Sequence, residues 1–167
     1  MEGILYTGIP SEAELAACPG IPSAKRIEEG RVAIIECVQE IPCNPCAAAC
    51  MFGAISVSGE ITSLPCLDEG KCTGCGQCIV QCPGLAIIVL HKNYSETEST
   101  VDFPFEYLPL PREGDIVDAV DRAGEAVCKG RVLKVIRLAS FDGTCVIRLA
   151  VPKKYAEIVK SMKRLQK

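Results

Sequence analysis

The apolar positions of this 167-residue chain fall into short runs separated by proline, glycine and cysteine. Residues 31–37, "RVAIIEC", and 85–90, "LAIIVL", are dense in β-branched side chains and predict two strands that answer one another. Between them, 53–59 and 60–65 flank a Gly-Glu turn and predict a hairpin, and two short helices fit the cysteine-bearing segments that remain. Before residue 31, Pro10, Pro19 and Pro22 leave room only for a short helix over 11–17, with Ser11 as its cap and Glu14 at the capping-box position. After 91 the chain turns polar, "HKNYSETEST", and then alternates aromatics with prolines, "VDFPFEYLPLP", which predicts a loop followed by an extended arm with Phe103, Phe105 and Tyr107 on one face. Runs at 116–120, 126–128, 132–138 and 145–151, punctuated by glycine turns, predict a small barrel-like sheet. The tail from Pro152 to Lys167 places Tyr155, Ile158, Val159, Met162 and Leu165 on one helical face, with Lys160, Lys163, Arg164 and Lys167 at its C-terminal part, and predicts a helix packed on that sheet. The organisation expected is an N-terminal arm (1–30), a cysteine-rich domain (31–91), a linker (92–111) and a small β-rich domain with a C-terminal helix (112–167).

Composition narrows the function classes. A net charge of −3 and few basic clusters exclude a nucleic-acid binder, whose surface must offset phosphate charge. No basic segment precedes a long apolar core at the start, and no apolar run approaches a membrane span, so neither a signal peptide nor membrane insertion is expected. A reducing, cytoplasmic setting follows as the default, and there closely spaced cysteines serve as metal ligands more readily than as disulfides.

Nine of the twelve cysteines lie between Cys37 and Cys82. Cys72-x2-Cys75-x2-Cys78-x3-Cys82-Pro83 is the ligand run of bacterial iron–sulfur ferredoxins. A single tetrahedral zinc needs fewer thiolates than this run supplies. The run is also half of an internal repeat, since "CNPCAAACMFGAISV" from Cys43 overlays "CGQCIVQCPGLAIIV" from Cys75. The overlay sets Cys46 over Cys78 and Cys50 over Cys82, with Met51 in the place of Pro83. Glu40 stands over Cys72, and a carboxylate is a poor partner for a cluster that prefers thiolate. Cys37, in a Cys-x5-Cys loop, is the candidate for the missing ligand, and Cys66 is its rival, otherwise read as a buried thiol. Gly74, Gly76 and Ala47 to Ala49 would let backbone N–H groups approach sulfur, although ordinary turns and helix propensity account for them equally well.

Residues 31–90 therefore resemble a bacterial-type 2[4Fe–4S] ferredoxin. The resemblance implies an α+β, ferredoxin-like dicluster domain with pseudo-two-fold symmetry and two [4Fe–4S] clusters that carry single electrons, here followed by the β-rich domain. It also implies crossed ligation: Cys37, Cys43, Cys46 and Cys82 at one cluster, Cys72, Cys75, Cys78 and Cys50 at the other. The longer string "ECVQEIPCNPC…LPCLDEGKCTGCGQCIVQCPG" is similar to the ferredoxin-like subunits of multi-subunit, flavin-dependent amine or amino-acid dehydrogenases, a group related to hydrogen cyanide synthase, sarcosine oxidase and opine or proline dehydrogenases. That similarity implies flavoprotein partners in a hetero-oligomer and an electron-transfer role without catalysis. The alternative is a free soluble ferredoxin carrying an accessory domain. No Gly-rich nucleotide loop and no nucleophile–base pair suggests an enzyme. His91 reads as a surface residue, Asp115, Asp118 and Asp121 as exposed strand and turn residues, Cys18 as a free thiol, and Cys128 and Cys145 as core.

Overall fold

The computed structural model describes residues 1–166. In chain order its elements are α1 (Ile4–Thr7), α2 (Glu12–Ala16), α3 (Ala24–Glu29), β1 (Val32–Ile35), α4 (Pro45–Ala48), β2 (Ile55–Ser56), β3 (Cys66–Leu67), α5 (Gln77–Gln81), β4 (Ile87–His91), β5 (Glu98–Phe105), β6 (Ile116–Val120), β7 (Ala126–Ile136), β8 (Cys145–Pro152) and β9 (Ser161–Met162). The fold is mixed α and β, with short helices and mostly antiparallel sheet. One seven-stranded sheet runs β1-β4-β5-β8-β7-β6-β9, and β2 and β3 form a second, two-stranded sheet.

β1 is buried along its whole length, and β4 along all but His91. They pair antiparallel with Ile35 opposite Ile87 and Val32 opposite Leu90, so their β-branched side chains interlock across the ladder. The core continues into Phe103 on β5 and Ile147 and Leu149 on β8, each without measurable exposure. In the N-terminal arm, α2 carries the expected capping box: Ser11 accepts from the Glu14 N–H, and the Glu14 carboxylate accepts from the Ser11 N–H. The same carboxylate accepts from Ile4 N–H and so ties α1 to α2. Further on, the carbonyls of Pro19 and Gly20 accept from Leu67 N–H (3.1 Å) and Ile35 N–H (3.0 Å), laying the arm across both small ladders.

Four expectations are corrected. The segment 92–111 contains β5, which pairs with β4 on one side and β8 on the other, so the sheet is continuous across the expected linker. Its polar residues Ser99, Thr100 and Asp102 are buried, which no local hydrophobic pattern could signal. The strands after 112 join this same sheet and are not a separate barrel. Residues 152–166 do not form a helix. Pro152 ends β8, Lys153–Tyr155 make one 3-10 turn, and Ser161–Met162 add an edge strand to β6. Lys160 N–H donates to Val120 O and Lys163 N–H to Asp118 O. The unpaired edge of β6 supplies acceptors that an isolated helix of this length would have to outcompete. Lys167 of the expected helix lies outside the described residues. Finally, Ile55–Ser56 pair with Cys66–Leu67 and not with 60–65, where Ile61 O accepts from Cys43 N–H and Pro65 has no N–H to give a ladder.

Two charge clusters clamp β1 to the rest of the sheet. Before it, Arg31 donates to Asp102 (2.7 Å), which also accepts two bonds from Arg148 (2.8 and 2.7 Å). After it, Glu36 is paired with Arg122 and with Lys160 (2.9 Å). Burial opposes charge on Glu36, but the two cations outweigh it and hold the carboxyl below its ordinary value. Replacing Asp102 would leave two guanidinium groups facing a position without a counter-charge. Asp102→Ala is expected to cost about 3 kcal/mol, the low end for a broken buried pair because both arginines keep partial solvent contact. Anaerobic denaturant unfolding of the cluster-loaded protein measures this, and a loss below about 1 kcal/mol would mean that the cluster is a surface pair in energetic terms.

Candidate metal centre

The cysteine thiols stand round two cavities. Cys37, Cys43, Cys46 and Cys82 line the first, together with Ile35, Ile41 and Ile87. Cys50, Cys72, Cys75 and Cys78 line the second, together with Ala33, Ala54 and Ile55. Local structure explains the division. Pro45 starts α4 with its φ already set, and Cys46 sits on the buried side of that turn with Cys43 just ahead of it. Gly76 caps α5 in a left-handed conformation, and Cys78 occupies the corresponding buried side with Cys75 just ahead. α4 packs on α5. Each helix thus directs its leading thiols into one cavity, while the cysteine beyond its end, Cys50 or Cys82, lines the other. Cys37 follows β1 and Cys72 closes a turn in which its N–H donates to Asp68 O.

Residues thirty-two positions apart in the two halves make matching bonds. Ala54 N–H donates to Cys50 Sγ (3.2 Å), and Ala86 N–H donates to Cys82 Sγ (3.4 Å). Gly53 N–H reaches Cys50 O, as Leu85 N–H reaches Cys82 O. Ile55 faces Leu67 across β2–β3, as Ile87 faces Ile35 across β4–β1. Even the left-handed backbone is repeated, with φ of 59° at Gly53 and 53° at Leu85.

The surroundings of the thiols suit a positively charged guest. Burial, then the charge of neighbouring sulfurs, pushes the Cys78 thiol up to about 12. The same two causes, burial first, raise Cys37 and Cys46. These groups resist carrying charge unless a cation shares the cavity. Ala33 N–H donates to Cys72 Sγ (3.4 Å), a third backbone dipole aimed at sulfur. Arg26 donates to Cys72 O (2.7 Å) and Arg31 to Gly74 O (3.1 Å), fixing the Cys72 loop from outside. Thiol donors, apolar walls and inward N–H groups together fit an iron–sulfur cluster. Among the described residues no group of three His, Cys, Asp or Glu side chains is arranged to hold a single metal ion.

The other candidates fall outside both cavities. Cys66, expected to be buried, is exposed, because residues alternate in β3 and Leu67 takes the inward position. Cys18 is buried, with its thiol donating to Ile35 O and Cys37 O. Cys145 is buried and Cys128 half-buried, and burial raises both thiols. Asp118 pairs with Lys129, Asp121 accepts backbone bonds in its own turn, and His91 stacks edge-on against Tyr94. Sequence reasoning missed Arg26 and the two charge clusters, whose partners are remote along the chain and carry no local motif.

Residues 65–88 match the family model described as a 4Fe-4S binding domain. Over this segment the chain is similar to 4Fe-4S binding domains. The chain is also 46% identical over 48 residues to the polyferredoxin-like subunit of an aliphatic sulfonate oxidoreductase from Pyrococcus furiosus, covering 29% of this chain and 27% of that one. It is 30% identical over 107 residues to Protein Pixie of Drosophila melanogaster, covering 60% of this chain and 17% of that protein. The matched stretch thus spans less than a third of either relative's length. No solved structure matches. No helix among the described residues is long and apolar enough to cross a membrane.

Gly74 tests how tightly the second cavity is built. A Cβ there would lie 2.5 Å from Arg31 Cβ and 2.7 Å from its carbonyl carbon, at a φ of +65° that side chains rarely adopt. Gly74→Ala is therefore expected to displace the Cys72–Cys75 loop and lose at least about half of the bound iron. Gly53→Ala meets no neighbour, and its repeat counterpart is already a leucine, so it should retain all iron at a stability cost of about 1 kcal/mol. Iron and acid-labile sulfide analysis of the two variants checks both outcomes.

Proposed function

We propose that this chain is the electron-transfer subunit of an oxidoreductase complex, holding two [4Fe–4S] clusters in a pseudo-two-fold dicluster domain over 31–91. Cys37, Cys43, Cys46 and Cys82 hold one cluster, and Cys50, Cys72, Cys75 and Cys78 the other. The observation that carries this reading is the crossed division of thiols, four to each cavity, with Cys50 and Cys82 exchanged between halves. A bound cluster of this kind takes up and gives back one electron at a time. The protein's part is to supply thiolates, aim N–H groups at them and keep bulk water from most of the sulfur.

A flavoprotein of the amine or amino-acid dehydrogenase kind is the proposed donor or acceptor, in a reducing cytoplasmic setting. Support for a fixed subunit comes from the extensive sheet beyond the cysteine domain and from the relative that is itself a subunit of an oxidoreductase. Ile41 and Phe52 line the two cavities yet remain exposed, which offers apolar contact beside each.

Two measurements test the reading. The isolated chain should carry about eight irons, and Cys37→Ser should bring this to about four, while Cys66→Ser changes nothing. An unchanged count in Cys37→Ser removes it from the ligand set. On a sizing column run with native extract, the chain should co-elute with a flavin-containing subunit, whereas elution at the size of the single chain would favour the free ferredoxin with an accessory domain.

A further inference from the structure

Resting on the two-cluster reading, we propose that the two clusters differ in reduction potential, that the one among Cys50, Cys72, Cys75 and Cys78 is the higher, and that Pro65 sets much of the difference. Among the described residues three backbone N–H groups donate to cysteine sulfur, at 3.2 to 3.4 Å, and they are unequally shared. Among the described residues Ala33 serves Cys72 and Ala54 serves Cys50, both in the second cavity, and Ala86 serves Cys82 in the first, where the backbone of Gln39 and Ala47 also lies close to Cys37 and Cys46 without completing such a bond. Ala54 and Ala86 are repeat counterparts. Ala33 has a counterpart in position only: thirty-two residues on stands Pro65, an imino acid without an N–H. Pro65 lines the first cavity as Ala33 lines the second.

An N–H dipole pointed at a thiolate favours the reduced, more negative state of the cluster that the thiolate holds, and so raises its potential. Fixed charges do not reverse the order. Each cavity has a carboxylate held between two cations nearby, Glu36 with Arg122 and Lys160 on one side, Asp102 with Arg31 and Arg148 on the other. Arg26, bonded to the Cys72 carbonyl, adds a cation on the second side, with the Glu69 carboxylate near it. Cys75, which is exposed, also admits water to that side, and hydration favours the reduced state too. An electron received at the first cavity therefore passes to the second. One cluster is oxidised and the other reduced by one electron, with no bond made or broken and no proton moved. The Cys37 side is then the entry and the exposed Cys75 side the exit.

The test is an anaerobic redox titration of the full chain followed by EPR, begun only once iron analysis returns about eight irons. An iron content near four overturns the two-cluster reading, and this inference with it, before any titration. In wild type, two separate one-electron steps are expected. Pro65→Ala and Pro65→Val each restore an N–H while differing in side chain, and both should raise the lower step alone. One hydrogen bond to charged sulfur corresponds to about tenfold in the electron's distribution, or about 59 mV for one electron. The proposal is overturned if the wild-type clusters titrate together, if the variants move the upper step, or if they leave the lower step in place. Should neither variant retain iron, the wild-type separation and a fall of the upper step in Arg26→Gln decide the order, and an unmoved upper step there counts against it.

Discussion

Charge on sulfur is what this fold has to manage. Burial and the proximity of other thiols both oppose ionisation of Cys37, Cys46 and Cys78, yet thiolates are what an iron–sulfur centre requires. The protein answers with backbone. The N–H groups of Ala54 and Ala86, four residues beyond Cys50 and Cys82, turn back onto those sulfurs because a left-handed residue, Gly53 or Leu85, reverses the chain between them. Sulfur, reversal and strand entry form one local unit, used twice.

The larger sheet supports that unit from behind. β1 has only four residues, and each end of it is held by an ionic cluster whose other members come from β5, β8, or the segments bordering β6 and β9. Arg31 reaches Asp102 while also donating to Gly74 O, so the C-terminal sheet is mechanically continuous with the Cys72 loop. The strands after residue 112 consequently belong to the framework of the candidate metal centre, even though none of them contributes a thiol to either of its two cavities.

What could be read from sequence follows the range of the interactions involved. The cysteine spacing and the thirty-two-residue repeat were legible because the cysteine loops are local, and Cys37, the thiol read as filling the gap left by Glu40, lines the first cavity. The register of β1 on β4 was not, and neither was β5, whose buried Ser99 and Asp102 find partners at Lys92 O and at Arg31 and Arg148. The tail shows how one pattern can serve two structures. Buried Ala156, Val159 and Met162 recur at a spacing that suits a helix, but the open edge of β6 recruits the backbone and the same residues turn inward from a turn and a short strand. Cys66 was misjudged because its inward or outward direction depends on a two-residue ladder with no period to read.

The arm that crosses both small ladders has a consequence in time. Pro19 and Gly20 find their donors at Leu67 and Ile35, so the Gly20 bond can form once residue 35 has left the ribosome, whereas the Pro19 bond must wait for residue 67. The arm is thus secured in two stages, the first at β1 and the second at the β2–β3 ladder.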